Sequence, residues 1–249
     1  IMPKNIFSSI FISGLEKKHL FEISFRESSI ITKHLEADTS AVALIPTLDL
    51  INHRHLFVSS KFALSFNGIL SNSYFYFVEG EKSIEKIFLR GDVSMNEIIL
   101  AKILFAEKFS AGVEFILDVN KNIEKEKDYF VTGDENFTSQ NFEKGISFAD
   151  EVADLIELPY VNFVFASPDR EALEKFNELM RVINSEIENK IERTLKPLPF
   201  SEETKSFISN NIGQLYFDIT DNEVTAVNEL IKLVYYHGII DDMFDVKFI

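Results

Sequence analysis

No cysteine occurs in this chain, so disulfides, thiolate nucleophiles and cysteine-ligated metals are excluded. Tryptophan is absent as well, and the aromatic packing falls to 25 phenylalanines. Glycine is sparse at nine residues, with neither a G-x-x-x-x-G-K loop nor a dinucleotide fingerprint among them. A nucleotide cofactor is therefore not expected. No G-x-S-x-G elbow is present either. Positive charge is in deficit: the formal net charge is −15, which opposes electrostatic binding of nucleic acid. No apolar run approaches the roughly 20 residues that cross a membrane. Ile1 to Lys4 lacks the basic-then-apolar layout of a signal peptide, so a cytoplasmic location without membrane attachment is expected.

What is present fits a folded α/β protein. With 249 residues, 46% hydrophobic and 26% charged, the chain is long enough for two modest lobes. Leu20 to Phe25 alternates apolar and polar residues as a half-buried strand does. Ser28 to Leu35 reads as a helix capped by Ser28 or Ser29. The continuous apolar run Ser40 to Pro46 suits a strand covered on both faces. Further strands are expected at 62–66, 74–78, 87–89, 113–117, 129–132 and 161–166. Helices are expected from about Asn96 to Lys108 behind Ser94, and from Asn222 to His237 with Gly238 as stop. Asp169 to Thr194 reads as one long amphipathic helix, its stripe running through Leu173, Phe176, Leu179, Met180, Ile183, Ile187 and Ile191. No Pro/Gly-rich linker divides the chain, so an inserted lobe is expected: 1–82 with 164–249 as one lobe, 83–163 as the other.

Few residues suggest chemistry. His53 and His55 form an H-x-H pair, but no third ligand follows at zinc-like spacing, so no metal is expected and the pair reads as a polar loop. Lys121 to Lys127 reads as a solvated charged turn. Asn67-Gly68 is a turn signal leading through Ser71, Asn72 and Ser73 into an apolar strand. Ser94 and Asn96 mark a helix start, where free N–H groups can hold a carboxylate. Gly133-Asp134 follows another apolar strand as a turn.

Taken in order, several segments resemble the chorismate dehydratase family of menaquinone biosynthesis. They are SAVALIPTLDLI (Ser40 to Ile51), SFNGILSNSYFYF (Ser65 to Phe77), DYFVTGDENF (Asp128 to Phe137) and the stretch from Gly145 to Ala166, joined by Asn210 to Ile240. The resemblance implies a type 2 periplasmic-binding-protein fold, with two α/β lobes and a ligand cleft between them. It also implies removal of water from chorismate to give 3-[(1-carboxyvinyl)oxy]benzoate, with no cofactor. On that basis Ser73 would bond the substrate near the reacting centre, and Asn5 would orient it from the facing strand. Asn72, Ser71, Ser94, Asn96, Gly133 and Asp134 would complete the substrate site. The family serine falls on Ser73 with a one-residue insertion, or on Asn72 without one. The chain departs from the pattern at Asn5, which lacks the proline that follows shortly after it. At the helix start Ser94-Met95-Asn96-Glu97 brings an acid to the presumed carboxylate site. A relative that binds a small organic anion without turnover is the alternative, and a purely structural role a third.

Overall fold

The computed structural model describes residues 1–15, 20–80, 83–120, 123–138, 144–180 and 184–249. In chain order its elements begin with β1 (Met2–Pro3), α1 (Ile6–Gly14), β2 (Phe25–Arg26), α2 (Ser28–Ala37), β3 (Ala43–Pro46) and β4 (Phe57–Phe66). There follow β5 (Ser73–Tyr76), β6 (Lys86–Gly91), α3 (Met95–Phe109), β7 (Glu114–Leu117), β8 (Tyr129–Thr132), α4 (Glu135–Thr138), β9 (Ile146–Ser147) and α5 (Phe148–Ile156). The chain closes with β10 (Tyr160–Ser167), α6 (Arg170–Leu179), α7 (Asn184–Leu195), α8 (Glu202–Asn211), β11 (Leu215–Asp218), α9 (Asp221–Tyr236) and β12 (Lys247–Phe248).

Two five-stranded sheets organise these elements. One has the order β11-β4-β10-β3 with β12 pairing β4; the other runs β7-β6-β8-β5-β9. The runs without polar alternation lie where both faces are covered. Ala43, Leu44 and Ile45 of β3 are buried, as is every residue of β10. The chain leaves the first sheet after Phe66 and returns to it at Tyr160. Ser73–Tyr76 thus pairs within the second sheet, and Tyr160–Phe163 within the first. These crossings differ from the divisions expected at 82/83 and 163/164, because strand pairing rather than composition sets them.

Phenylalanine forms the core of the second sheet. The Phe75 ring stacks on Phe130 with centroids 4.3 Å apart and meets Phe148 edge-on at 5.7 Å. Helix α1 lies between the first sheet and α4: its Phe7 ring contacts Phe66 of β4 at 5.0 Å and Phe137 of α4 at 5.8 Å.

The start signal expected at Ser94 holds, and α9 has a cap of the same kind at Thr220 that was not expected. Ser94 and Thr220 each form a capping box, with Glu97 and Glu223 respectively. Other expectations are corrected. The strand expected over Leu20 to Phe25 contracts to Phe25–Arg26, paired only with two-residue β1. Neither Ser28 nor Ser29 caps α2: Glu27 stands at that position without a side-chain bond, and the cap comes from Asp92 far along the chain. The long helix expected from Asp169 is two helices, because Met180 adopts extended backbone (ψ 127) and ends α6. Ile183 of its stripe lies outside the described residues, as do Lys121 and Asn122 of the charged turn. Helices α1, α5 and α8 have no counterpart in the sequence-based expectation.

Truncating Phe75 to alanine should lower unfolding stability by about 3–5 kcal/mol, since it empties a volume shared by several rings. Phe109→Ala, at a position 57% exposed, should cost less than about 1 kcal/mol. Urea denaturation of both variants checks the contrast.

Candidate functional site

Strands β6 and β8 lie side by side and parallel, with Gly91 opposite Thr132. A Gly-Asp pair stands at the end of each: Gly91 closes β6 and Gly133 directly follows β8. Gly91 (φ 80) and Gly133 (φ 85) both turn the chain through left-handed backbone that favours glycine. At Gly91 space also demands it, for a Cβ there would stand 1.9 Å from the Thr132 carbonyl oxygen. The aspartates that follow leave their own sheet. Asp134 Oδ1 accepts from the Ile6 N–H at 2.7 Å, at the start of α1. Asp92 accepts from the Ser28 N–H at 2.8 Å and from its hydroxyl at 2.6 Å, at the start of α2. Carboxylates from the second sheet thus close the N-termini of two helices that belong with the first. Burial raises both carboxyls above the ordinary aspartate value, against the opposing pull of these bonds.

The first turn of α1 is the centre of the junction. Asn5 caps it by accepting from the Ser8 N–H at 2.9 Å. The Asn5 amide nitrogen and the Ser8 hydroxyl then have no partner among the described residues, although both are buried. Asn72 is a third case: its backbone oxygen accepts from the Gly133 N–H at 2.7 Å, while its side-chain oxygen is buried without a partner. The bonds Asn72 to Gly133 and Asp134 to Ile6 draw these groups to one locus. Asn5, Asn72, Gly133 and Asp134, expected as site residues from the sequence, are therefore brought together. Ser8 was not expected, because a serine in the first turn of a helix has no distinguishing sequence signal.

Ser71 and Ser73 are engaged within the fold. Ser71 Oγ accepts from the Ala149 N–H at the start of α5 and donates to the Ser73 carbonyl. Ser73 Oγ donates to Thr132 Oγ1 at 3.1 Å and is 1% exposed. A donor role of Ser73 toward a substrate requires that bond to be exchanged, whereas its oxygen can still accept.

Ser94 and Asn96 belong to a second buried cluster. The helix start expected to hold a ligand carboxylate holds the chain's own Glu97, which accepts from the Ser94 N–H and hydroxyl. Asn96 Oδ1 accepts from the Leu48 N–H at 2.7 Å, and its amide nitrogen donates to the Asn162 carbonyl. Asn96 thereby ties α3 to β10 and to the 3-10 turn Thr47–Ile51. Burial pushes the Glu97 carboxyl up, against the Ser94 bonds that hold it down.

Two cavities lie outside these clusters. One of about 510 Å³ is lined by Glu27, Ser29, Leu89, Gly91, Asp92 and Ile98 among others, where α2 meets the second sheet. The other, about 860 Å³, flanks α1 and α6, with Phe11, Phe165 and Phe176 in its wall and Arg26, His34 and Lys175 around them. None of the expected site residues lines either one. His53 and His55 meet a shared carboxylate, Glu36 Oε1, at 2.6 and 3.4 Å. Among the described residues no group of three such side chains is arranged to hold a metal.

Replacing Glu97 by glutamine keeps an acceptor for Ser94 and removes the buried ionisation. Because the folded-state pKa is raised, the folded protein holds a proton that the unfolded chain releases. Stability therefore falls as pH rises from the ordinary glutamate value through the raised one. Glu97→Gln should flatten that decline and be more stable than wild type at pH 7, as read by melting temperature from pH 4.5 to 7.5. Ser94→Ala should instead lose about 1 kcal/mol with its cap.

No family profile matches the chain, and no curated protein is detectably similar to it in sequence. Solved structures are similar in shape. Protein AF1704 from Archaeoglobus fulgidus superimposes with a TM-score of 0.63 at 12% identity, covering 96% of this chain and 97% of that one. An ABC transporter structure from Parabacteroides distasonis gives 0.62 at 10% identity, with 95% and 91% covered. The alkanesulfonate-binding protein SsuA from Xanthomonas axonopodis, bound to MOPS, gives 0.60 at 9% identity, with 95% and 91% covered. No helix among the described residues is long and apolar enough to cross a membrane. The chain has the two-lobed α/β fold of periplasmic-binding-protein-like ligand-binding proteins.

Proposed function

We propose that this chain binds a small polar organic molecule between its lobes, at the start of α1. The observation that carries the reading is the set of partnerless buried atoms there: Asn5 Nδ2, Ser8 Oγ and Asn72 Oδ1. A buried polar group left unbonded costs about 1–3 kcal/mol, so three at one junction mark a place where a ligand supplies the missing bonds. Their burial in this closed arrangement means that entry requires the lobes to part, as domain closure around a ligand involves. SsuA from Xanthomonas, which is bound to MOPS, has a comparable two-lobed frame. That likeness supports the kind of ligand, a small organic anion or a related polar molecule, and no particular compound.

A second reading is enzymatic: cofactor-free dehydration of chorismate to 3-[(1-carboxyvinyl)oxy]benzoate, in line with the resemblance of the segments around Asn5, Asn72 and Gly133-Asp134. It is favoured by the meeting of those residues at one junction. In the elimination a carboxylate of the substrate would take the proton from carbon and the same proton would leave with the hydroxyl as water, so a hydrogen-bonding group is needed beside that hydroxyl. Asn5, Ser8 and Asn72 are the side chains with free hydrogen-bonding capacity for that task; Ser73, which donates to Thr132, can still accept.

Calorimetric titration with chorismate and with simple organic acids and sulfonates tests the first reading, and chromatography of the chorismate incubation tests the second. Saturable binding is expected, and Asn5→Ala should weaken it at least tenfold while lowering stability by about 1 kcal/mol through the lost cap. Absence of binding across the panel would remove the proposal. Binding without an aromatic product would leave the binding reading and end the enzymatic one.

A further inference from the structure

We infer that Asp134 is the charge selector of this site, so that the ligand presents a hydroxyl to the start of α1 and no carboxylate. The inference rests on the reading that a ligand occupies that junction.

A helix N-terminus ordinarily attracts an anion, through its free N–H groups and the aligned peptide dipoles. Here that role is already filled. Asp134 Oδ1 holds the Ile6 N–H at 2.7 Å, and Asn5 Oδ1 holds the Ser8 N–H at 2.9 Å. A ligand carboxylate brought to the same turn would meet the Asp134 charge, with Asp92 adding to the repulsion and Lys4 opposing it. In a site removed from water such repulsion is weakly screened.

The unsatisfied atoms require a different partner. Asn5 Nδ2 is a donor, Asn72 Oδ1 an acceptor, and Ser8 Oγ serves as either. A carboxylate answers the first and leaves the second empty; an ammonium does the reverse. Hydroxyl groups answer both kinds of demand, because each can accept, as Asn5 Nδ2 requires, and donate, as Asn72 Oδ1 requires. The Ser8 hydroxyl can pair with a hydroxyl in either sense. The chemical class is therefore a neutral hydroxylated face, a vicinal diol or ring alcohol. Any anionic group on the same molecule must point away from α1.

The probes are trans-1,2-cyclohexanediol for the hydroxylated face and succinate for the carboxylate. Each is titrated into 15N-labelled full-length protein at pH 7, with the Ile6 and Ser8 amide resonances as readout. Asp134→Asn retains an acceptor for the Ile6 N–H, so α1 keeps its closure while the charge is removed. The diol should bind wild type and variant within about threefold of each other. Succinate should shift those amides in Asp134→Asn with an affinity at least tenfold above wild type. Equal succinate affinity in the two proteins, with succinate shifting Ile6 and Ser8 in wild type, overturns the selector and leaves the binding site standing. If neither probe shifts these resonances in either protein while other organic acids bind elsewhere, both the selector and the α1 site fall.

Discussion

Asp92 and Asp134 each reach out of one sheet to close a helix that packs with the other. The rest of the molecule is arranged around this pair of contacts. They stand close together past neighbouring parallel strands, because a glycine at the end of β6 and another directly after β8 turn the chain there. The physical demand they meet is simple: the first N–H groups of a helix have no partner within it, and burying them at an interface without an acceptor is costly. A carboxylate satisfies that demand more strongly than a hydroxyl would, and it carries a charge that burial disfavours. The raised pKa of both aspartates is the expression of that cost.

The same solution appears a third time at α3, where Glu97 closes its own helix start in the buried cluster with Asn96 and Asn162. In each case an acid of the chain occupies a place suited to a ligand anion. Internal anions thus supply contacts between the parts of the molecule that carry the two sheets. What remains open among the described residues is neutral: the Asn5 amide and Ser8 hydroxyl at the first turn of α1, the Asn72 amide oxygen, and the Asn162 amide oxygen in the Glu97 cluster. This division between internal charge and unfilled neutral groups links the stability of the lobe junction to the chemistry of what it can accept.

Aromatic packing gives the junction its rigidity. Phe7 lies between Phe66 and Phe137, so the helix that carries Asn5 and Ser8 is gripped between the first sheet and α4. Changes to Phe7 are consequently expected to alter binding and stability together, whereas Asn5 and Asp134 act mainly through hydrogen bonding and charge.

The amino-acid sequence by itself determined the class of the fold and much of its strand inventory. The runs at Ala43–Pro46, Tyr129–Thr132 and Tyr160–Ser167 are apolar over a length suited to strands covered on both faces. The caps at Ser94 and Thr220 are local signals, readable within a few residues. Asn72 and Gly133-Asp134 stood out as turn residues beside such strands, and Asn5 through the family resemblance. Their meeting was decided by tertiary structure alone, since Asp134 and Ile6 lie 128 positions apart. So was the cap of α2, which local pattern assigned to Ser28 or Ser29 and which Asp92 supplies from 64 positions away. The break at Met180 and the burial of Ser73 against Thr132 likewise depend on packing between elements. Periodicity records which face of a segment is covered; which distant group satisfies a buried N–H or hydroxyl is fixed only when the sheets have come together.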